Sequence, residues 1–271
     1  MSDITVINDS EQSSLVTNGL AKNGELYLKA AGSTDAGAIV VYDSGSWRTF
    51  ANEYVPAGFV NQYSIHASGT NDSIDIGDIS SIAGGQSQLS ISMWFNLPST
   101  SGVHGLLGSS NFFGETYYYN QIVAQTFVTN VLKTAGTVTA NTWNHFAITY
   151  NAGFSTWYNN GTAMTTRTDT ATTTDSACFN NLKLGTCPRF SQYGNVKIDE
   201  FAVFQTELSS TDITAIYNSG VPTDLTSYSP VGWWRMGDND SGTGTTVTDQ
   251  GSGGNDATLT NSPTFSTDVP S

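Results

Sequence analysis

Residues 194–220 read GNVKIDEFAVFQTELSSTDITAIYNSG, a strand pattern followed by a short helix pattern. The helix start is indicated by Ser209, a good N-cap, and by Asp212 three positions later, which completes a variant of the capping box. Leu208 and Ile213 are spaced as a hydrophobic staple across this start. The stretch therefore predicts one strand and one helix of about ten residues.

The helix pattern has a single apolar stripe, formed by Ile213, Ile216 and Tyr217, and Gly220 is placed to end it. A helix of about ten residues is marginal in water, so its stripe must pack against the strands. We predict that this helix is a lid over an open end of a β-structure.

The rest of the sequence is typical of an all-β protein. Short strand patterns separated by turns recur from residue 60, without helices between them, which predicts an antiparallel sandwich or barrel. In residues 88–96, QLSISMWFN, a period of two separates two faces. One face holds Leu89, Ile91, Met93 and Phe95, and the other holds Ser90, Ser92, Trp94 and Asn96.

Charge excludes several classes of partner. The chain has 23 acidic and nine basic residues and a net charge of −14, whereas binding to a phosphate backbone requires Lys and Arg. We therefore expect no nucleic acid partner, and no segment has the ~20 apolar residues needed for membrane insertion. The start, MSDITVINDSEQSS, lacks the basic and apolar regions of a signal peptide, so we expect folding in a cytosol.

Two domains are predicted. Residues 1–58 contain the alternating segments GELYLKAAG and GAIVVYDSGSWRTFANE and form a small N-terminal β module, while residues 59–271 form the main domain. A module of fewer than sixty residues buries too little surface to be stable alone, so we expect it to pack against the rest of the chain or another protein.

The cysteines and histidines do not predict a metal or catalytic site. Cys178 and Cys187 are too few for a zinc site, and two readings stay open, a disulfide across a hairpin or two buried thiols. His66, His104 and His145 have no ligand spacing and are expected at core or edge positions.

Adjacent carboxylates at Asp199 and Glu200 do not predict catalysis. Neighbouring strand residues point to opposite faces, whereas glycosidases need two converging carboxyls roughly 5 to 9 Å apart. We expect Asp199 to tie adjacent loops by hydrogen bonds or to ligate a structural cation.

The ordered set of strand patterns resembles the laminin-G-like, concanavalin A-like jelly-roll domains. The resemblance runs over roughly residues 60–260 and is carried by YSIHASGTNDSIDIGD, LSISMWFN, WNHFAITYNAGFSTWYNNGTAM, LKLGT, GNVKIDEFAVFQTELSSTDITAIYNSG and GWWRMGD. Ser68 stands where the family has aspartate, and the Trp-rich strand comes last. The resemblance implies an antiparallel β-sandwich, a jelly roll, with one short helix. KIDEFAVF lacks the E-x-D-x-x-E pattern of the superfamily's glucanases, so we predict no enzyme activity.

The resemblance also implies a calcium site. The family brings the segment that carries Asp72, Asp75 and Asp78 close to Asp199, and Ca²⁺ takes oxygen ligands of this kind. Two readings stay open, a Ca²⁺ ligand set and ordinary solvated turn aspartates.

An aromatic turn is the candidate contact surface. Residues 109–120, SSNFFGETYYYN, crowd large rings into a turn between strands, where they can stack on sugars or meet a protein partner. The predicted contact residues are Phe112, Phe113, Tyr117, Tyr118 and Tyr119. The six tryptophans fall mostly within strands and are expected in the core.

A second resemblance concerns the setting of the protein. GWWRMGD with TTVTDQGSGGNDATLTN, and AIVVYDSGSWRTFANE in the first module, resemble parts of virion proteins of marine tailed bacteriophages. We therefore expect a non-enzymatic protein of the virion exterior, a capsid decoration or tail component, assembled in the host cytoplasm. Residues 1–58 would bind other virion proteins, copies would form a homo-oligomer, and the sandwich would meet a host glycan.

Two alternatives belong to other classes. One is a bacterial surface or secreted glycan-binding module, and the other is a glycan-cleaving enzyme of the glucanase superfamily. Sugar binding by residues 60–271 favours the first, and a groove with two facing carboxylates favours the second.

Overall fold

The computed structural model describes four strands of the N-terminal part and, after them, residues 59–117, 121–125, 132–168 and 171–271. The chain divides into two compact units, Met1–Val60 and Asn61–Ser271, two residues from the boundary expected from the sequence.

The first unit contains one four-stranded sheet in the order β1-β2-β3-β4. Its strands are β1 (Thr5–Ile7), β2 (Leu26–Lys29), β3 (Ile39–Asp43) and β4 (Ser46–Phe50). β1 and β2 are parallel, and the other neighbours are antiparallel.

In its described residues, the second unit is a sandwich of two large sheets with two α-helices. Its strands are β5 (Ser64–Ser68), β6 (Ser73–Gly77), β7 (Gln88–Asn96), β8 (His104–Gly108), β9 (Phe113–Tyr117), β10 (Gln121–Gln125), β11 (Leu132–Thr137), β12 (Trp143–Asn151), β13 (Phe154–Asn159), β14 (Thr162–Thr168), β15 (Leu182–Leu184), β16 (Thr186–Cys187), β17 (Gln192–Tyr193), β18 (Asn195–Phe204), β19 (Gly232–Trp234), β20 (Thr246–Val247), β21 (Ala257–Thr260) and β22 (Thr264–Ser266). Its helices are α1 (Ser80–Ala83), a single turn, and α2 (Ser210–Tyr217).

The two sheets of the sandwich have different strand orders. Sheet I is β14-β13-β12-β7-β18-β5-β22, with β19 added beside β18, and sheet II is β11-β10-β9-β8-β15-β6-β21-β20. Strands β16 and β17 form a separate hairpin. All described pairs in this unit are antiparallel, which confirms the predicted antiparallel sandwich.

Strand β7 shows how the sequence builds the core. Leu89, Ile91, Met93 and Phe95 lie in the apolar core and are at most 2% exposed, so the predicted period of two is confirmed. The opposite face of β7 is buried as well, because helix α2 and the segment leading to it cover part of the outer face of sheet I. Ser90 Oγ accepts a hydrogen bond of 2.9 Å from the backbone N–H of Leu208 and so fixes this cover.

Helix α2 begins as the sequence predicts but ends earlier and packs elsewhere. Ser209 and Asp212 form the capping box, and the helix ends at Tyr217, because its C-cap residue, Asn218, has a left-handed φ of 42°. Gly220 follows at the end of a 3₁₀ turn. Asparagine accepts this conformation more readily than most residues. Tyr217 stacks on Trp94 at 5.7 Å between ring centroids, so α2 lies on the outer face of sheet I, and the predicted lid over an open end is wrong.

Candidate functional site

A row of side chains crosses sheet I on the part of its outer face that carries Asn96. Direct strand register places Thr264 opposite His66, His66 opposite Lys197, Lys197 opposite Asn96, and Asn96 opposite Trp143. The chain neighbours of His66, Lys197 and Asn96 are core residues, and side chains alternate along a strand. The row therefore points outward, away from the core.

An open groove of about 310 Å³ lies over this row, and we call it the outer groove. Its lining consists of His66, Asn96, Pro98, Asn141, Asn195, Lys197 and Asp268. Asp268 belongs to the segment that follows β22, while Asn141 precedes β12. The groove thus combines side chains from strands far apart in sequence with three loop residues, Pro98, Asn141 and Asp268.

Hydrogen bonds orient the polar groups of the outer groove. His66 Nε2 donates to Asn195 Oδ1 at 2.8 Å, and Trp143 Nε1 donates to Asp268 Oδ1 at 3.1 Å. Lys197 Nζ forms an ion pair with Asp268 Oδ2. The bond from Lys197, with that from Trp143, lowers the pKa of Asp268, so this carboxylate is ionised at neutral pH.

Asp199 and Glu200 lie in a second, buried site that we call the bulge network. Their strand, β18, has a β-bulge between Asp199 and Ala202, and Glu200 has a φ of +46°. Asp199 Oδ1 accepts a hydrogen bond from the Glu200 backbone N–H at 2.9 Å. The regular alternation on which the sequence argument relied is therefore interrupted at this pair by the bulge.

The bulge network joins three parts of the chain. Glu200 accepts from Trp233 Nε1 at 2.6 Å and from Arg235 Nε at 3.1 Å. Arg235 Nη2 donates to Asp238 at 3.1 Å, and Asp238 accepts from the backbone N–H groups of residues 62 and 63. The network therefore ties β18 to β19 and to the segment entering β5.

Burial controls the protonation of the bulge network. Asp199 and Glu200 are 0% and 2% exposed. Burial and the neighbouring Glu200 raise the pKa of Asp199 well above its ordinary value. Burial raises the pKa of Glu200 to about 7, although Arg235 and Trp233 act in the opposite direction. Carboxyl groups buried in this way cannot contact a polysaccharide. Asn61 Nδ2 donates to Asp199 Oδ2 at 2.9 Å, which is the kind of hydrogen bond between loop and strand that the sequence led us to expect of Asp199.

The four aspartates of the predicted calcium set are not brought together. Asp72 accepts from backbone N–H groups of Ser68 and Ser262, and Asp75 pairs with Lys183 on sheet II. The other two aspartates also have hydrogen-bond partners. Asp78 accepts a hydrogen bond from the backbone N–H of Ser80, and Asp199 lies in the bulge network on sheet I. Within the described residues, no three His, Cys, Asp or Glu side chains are grouped to hold a metal ion. These residues do not fit calcium.

The predicted aromatic contact surface is corrected at Phe112. This ring is 1% exposed and packs in the core near Phe179, at 6.3 Å between centroids, so it cannot contact a partner. Phe113 and Tyr117 belong to β9, but their side chains lie outside the described part of the structure, and Tyr118 and Tyr119 lie outside the described residues altogether.

Several other sequence expectations have definite outcomes. Cys178 and Cys187 are both buried as thiols, which decides between the two readings left open. His145 is fully buried beside Trp94 as a core residue, whereas His66 lines the outer groove. None of the helices in the described ranges has the length and apolar character needed to span a bilayer.

Sequence reasoning missed the residues of the outer groove. Trp143 was expected in the core with the other tryptophans, but it is only half-buried, and its indole N–H donates to Asp268, which lines the groove. Lys197 and Asn96 alternate with core residues, and this alternation in the sequence indicates that both side chains face outward. Nothing local shows that they are neighbours, since their pairing joins strands about a hundred positions apart.

Comparison with known proteins decides the family. The family profile of the concanavalin A-like lectin/glucanases superfamily matches residues 68–214, more than half of the chain. The chain belongs to this superfamily. The sandwich is accordingly a jelly roll of the lectin-like kind, as the sequence resemblance implied. No curated protein sequence matches the chain.

Solved structures are similar to the chain at low sequence identity. A candidate carbohydrate-binding protein from Bacteroides ovatus ATCC 8483 has a TM-score of 0.62 at 14% identity, covering 92% of this chain and 71% of that one. The carbohydrate-binding module CBM40 of the Ruminococcus gnavus IT-sialidase, bound to α2,3-sialyllactose, has a TM-score of 0.47 at 16% identity, covering 59% and 100%. A heptameric SAP-like pentraxin from Limulus polyphemus has a TM-score of 0.44 at 11% identity, covering 58% and 82%.

Proposed function

We propose that residues 61–271 form a non-enzymatic glycan-binding module whose ligand site is the outer groove. The observation that carries this proposal is the row of His66, Lys197, Asn96 and Trp143, which sets hydrogen-bonding groups beside a half-buried indole on an open face. The fold it shares with the Bacteroides ovatus protein, a candidate carbohydrate-binding protein, supports the same conclusion.

The chemistry of the outer groove suits a sugar. Each sugar hydroxyl both donates and accepts hydrogen bonds, and the side-chain amides of Asn96, Asn141 and Asn195 in the lining can do both. The apolar face of a pyranose packs on an aromatic ring, which Trp143 can supply at the edge of the groove. The Lys197 ammonium group adds three hydrogen-bond donors, which a polar ligand such as a sugar can use and a hydrophobic ligand cannot.

The carboxylates support a binding role over hydrolysis. Asp268 is the single carboxylate in the described lining of the outer groove, and Lys197 with Trp143 keeps it ionised, so it is a poor proton donor. Glycoside hydrolysis by the usual route needs two converging carboxyls, one of them protonated. Asp199 and Glu200 are enclosed in the bulge network and do not supply the second.

We propose further that the module belongs to the exterior of a phage particle. This part rests on the sequence resemblance of residues 38–53 and 232–261 to virion proteins of marine tailed bacteriophages. Residues 1–58 would then bind other virion proteins, with several copies assembled together. Mass spectrometry and antibody labelling of purified particles test this location. If the protein is absent from the particle, the alternative of a bacterial glycan-binding module is favoured.

A glycan array followed by calorimetry tests the binding role. The full chain should bind at least one glycan, and Trp143→Ala with Asn96→Ala should lower its affinity by about tenfold or more. Phe154→Ala is the matched control, because Phe154 is 61% exposed and lies outside the outer groove. Equal affinity of the groove variant and the control, or no binding to any glycan, would refute the proposal.

A further inference from the structure

A residue of the chain's own C-terminal segment occupies part of the outer groove. The Asp268 carboxylate forms an ion pair with Lys197 Nζ and accepts a hydrogen bond from Trp143 Nε1. The backbone of this residue is held separately, because its carbonyl accepts from Ser64 Oγ at 2.7 Å and its N–H donates to Ser266 Oγ at 3.1 Å. The side chain can therefore leave the groove while the segment stays attached to β5.

The contact between Asp268 and Lys197 is weak enough to be exchanged. Their side chains are 48% and 29% exposed, and ion pairs at such positions contribute little because water solvates both partners. A ligand carboxylate that also bonds to the amides of the groove would replace Asp268 with a net gain. The donors would keep a charged acceptor, so no polar group would be left unsatisfied.

A neutral ligand gains less from the same exchange. It would separate Lys197 from its carboxylate and offer only uncharged oxygens in return, which make weaker hydrogen bonds to an ammonium group. The chain has a net charge of −14, but exposed charges more than about 8 Å apart are largely screened at physiological salt. The hydrogen-bond donors within the groove therefore decide which ligand charge is favoured. Local donors of the groove are a lysine ammonium, an indole N–H and asparagine amides.

We propose that the outer groove selects glycans that carry a carboxylate, and that Asp268 occupies the carboxylate subsite until such a ligand displaces it. The ligand class is thus an acidic sugar, such as a uronate or a sialylated glycan. This inference rests on the proposed glycan-binding function and adds to it the charge of the ligand and an internal competitor for the site.

The test compares acidic probes with their neutral esters on four proteins. Oligogalacturonate, oligomannuronate and sialyllactose are each titrated beside their methyl esters into the full chain and into Asp268→Asn, Lys197→Met and Glu207→Gln. Asp268→Asn keeps an acceptor for Trp143 but removes the charge that competes for Lys197. Glu207→Gln removes one equal charge from an exposed position outside the groove lining.

We expect at least one acid to bind the full chain more tightly than its ester. Asp268→Asn should raise the affinity for that acid by about three- to fivefold, because the exposed ion pair it removes is worth at most about 1 kcal/mol, whereas Glu207→Gln should change the affinity by less than about twofold. Lys197→Met should bring the acid down to the affinity of the ester.

The contrary outcomes are distinct. Equal affinities for acid and ester, or equal effects of Asp268→Asn and Glu207→Gln, overturn the acidic-glycan inference while leaving a glycan-binding groove in place. Failure of all six probes with all four proteins overturns the inference, and an empty glycan array with the same full chain then removes the proposed function as well.

Discussion

Arg235 is the cation of the bulge network, and its removal should cost the protein a large part of its stability. The side chain is 12% exposed, and its partners Glu200 and Asp238 are 2% and 3% exposed. Arg235→Met keeps most of the aliphatic volume but leaves two buried carboxyls without a counter-charge. Breaking a buried pair in this way costs about 3–5 kcal/mol, a large share of the roughly 5–15 kcal/mol that stabilises a typical domain.

The loss should depend on pH with a definite sign. The folded pKa of Glu200 is raised to about 7, so this group favours the folded state most below its unfolded value, and the contribution disappears as pH rises through the folded pKa. Without Arg235, which lowers the pKa of Glu200, the folded pKa rises further. The deficit of Arg235→Met should therefore be largest at pH 8 and smallest near pH 5, where Glu200 takes up a proton in the folded variant.

Urea unfolding of the full chain at pH 8 and pH 5 measures this deficit. Lys197→Met is the control, since its exposed ion pair with Asp268 should contribute at most about 1 kcal/mol at either pH. Acid effects at other sites are common to the wild type and the variant and cancel in the difference. A deficit below about 1 kcal/mol for Arg235→Met, or one that grows on acidification, would contradict the role given to Arg235.

Three further predictions concern other sites. Gly161→Ala should lower the unfolding free energy by about 2 kcal/mol in urea titrations, because φ is +73° and the new Cβ would lie 2.8 Å from Tyr217 Cδ1; Gly85→Ala, with φ +70° and open space, should cost about half as much. His145→Gln should flatten the acid loss of stability between pH 6.5 and 4, since burial lowers the pKa of His145 to about 3 and only the unfolded wild type takes up that proton; an unchanged slope would refute this. Burial raises the pKa of Cys178 to about 12, so its thiol should react with a disulfide reagent only after unfolding, and stoichiometric labelling of the native chain would contradict this.

Local patterns predicted the sandwich because its rules are local. The alternation in QLSISMWFN fixes which residues of β7 enter the core, and the pair Ser209 and Asp212 fixes where α2 begins. Neither conclusion needs knowledge of a distant residue. The sequence placed the end of α2 at Gly220, but Asn218 can also adopt left-handed backbone angles. Asn218 comes two residues earlier and ends the helix.

The bulge and the outer groove depend on distant contacts, so the sequence alone could not reveal them. A left-handed glutamate costs free energy that no neighbour in sequence can offset. Glu200 holds that conformation in a strand where Trp233 and Arg235 bond to its carboxylate. In the same way, the groove exists only because strand register sets Lys197 beside Asn96 and His66.

The two sites lie on one strand, and the buried site holds the strand that lines the groove. Lys197 faces the outer groove, and Asp199, two residues or about 7 Å further along β18, belongs to the bulge network. The strand that forms the floor of the groove is therefore held by a buried polar network immediately beside it. A floor fixed in this way needs no ordering when a ligand arrives, and pre-organisation of this kind preserves affinity that a flexible site would lose. Under the proposed function, the buried carboxylates would serve recognition without touching the ligand, by fixing the strand that presents Lys197.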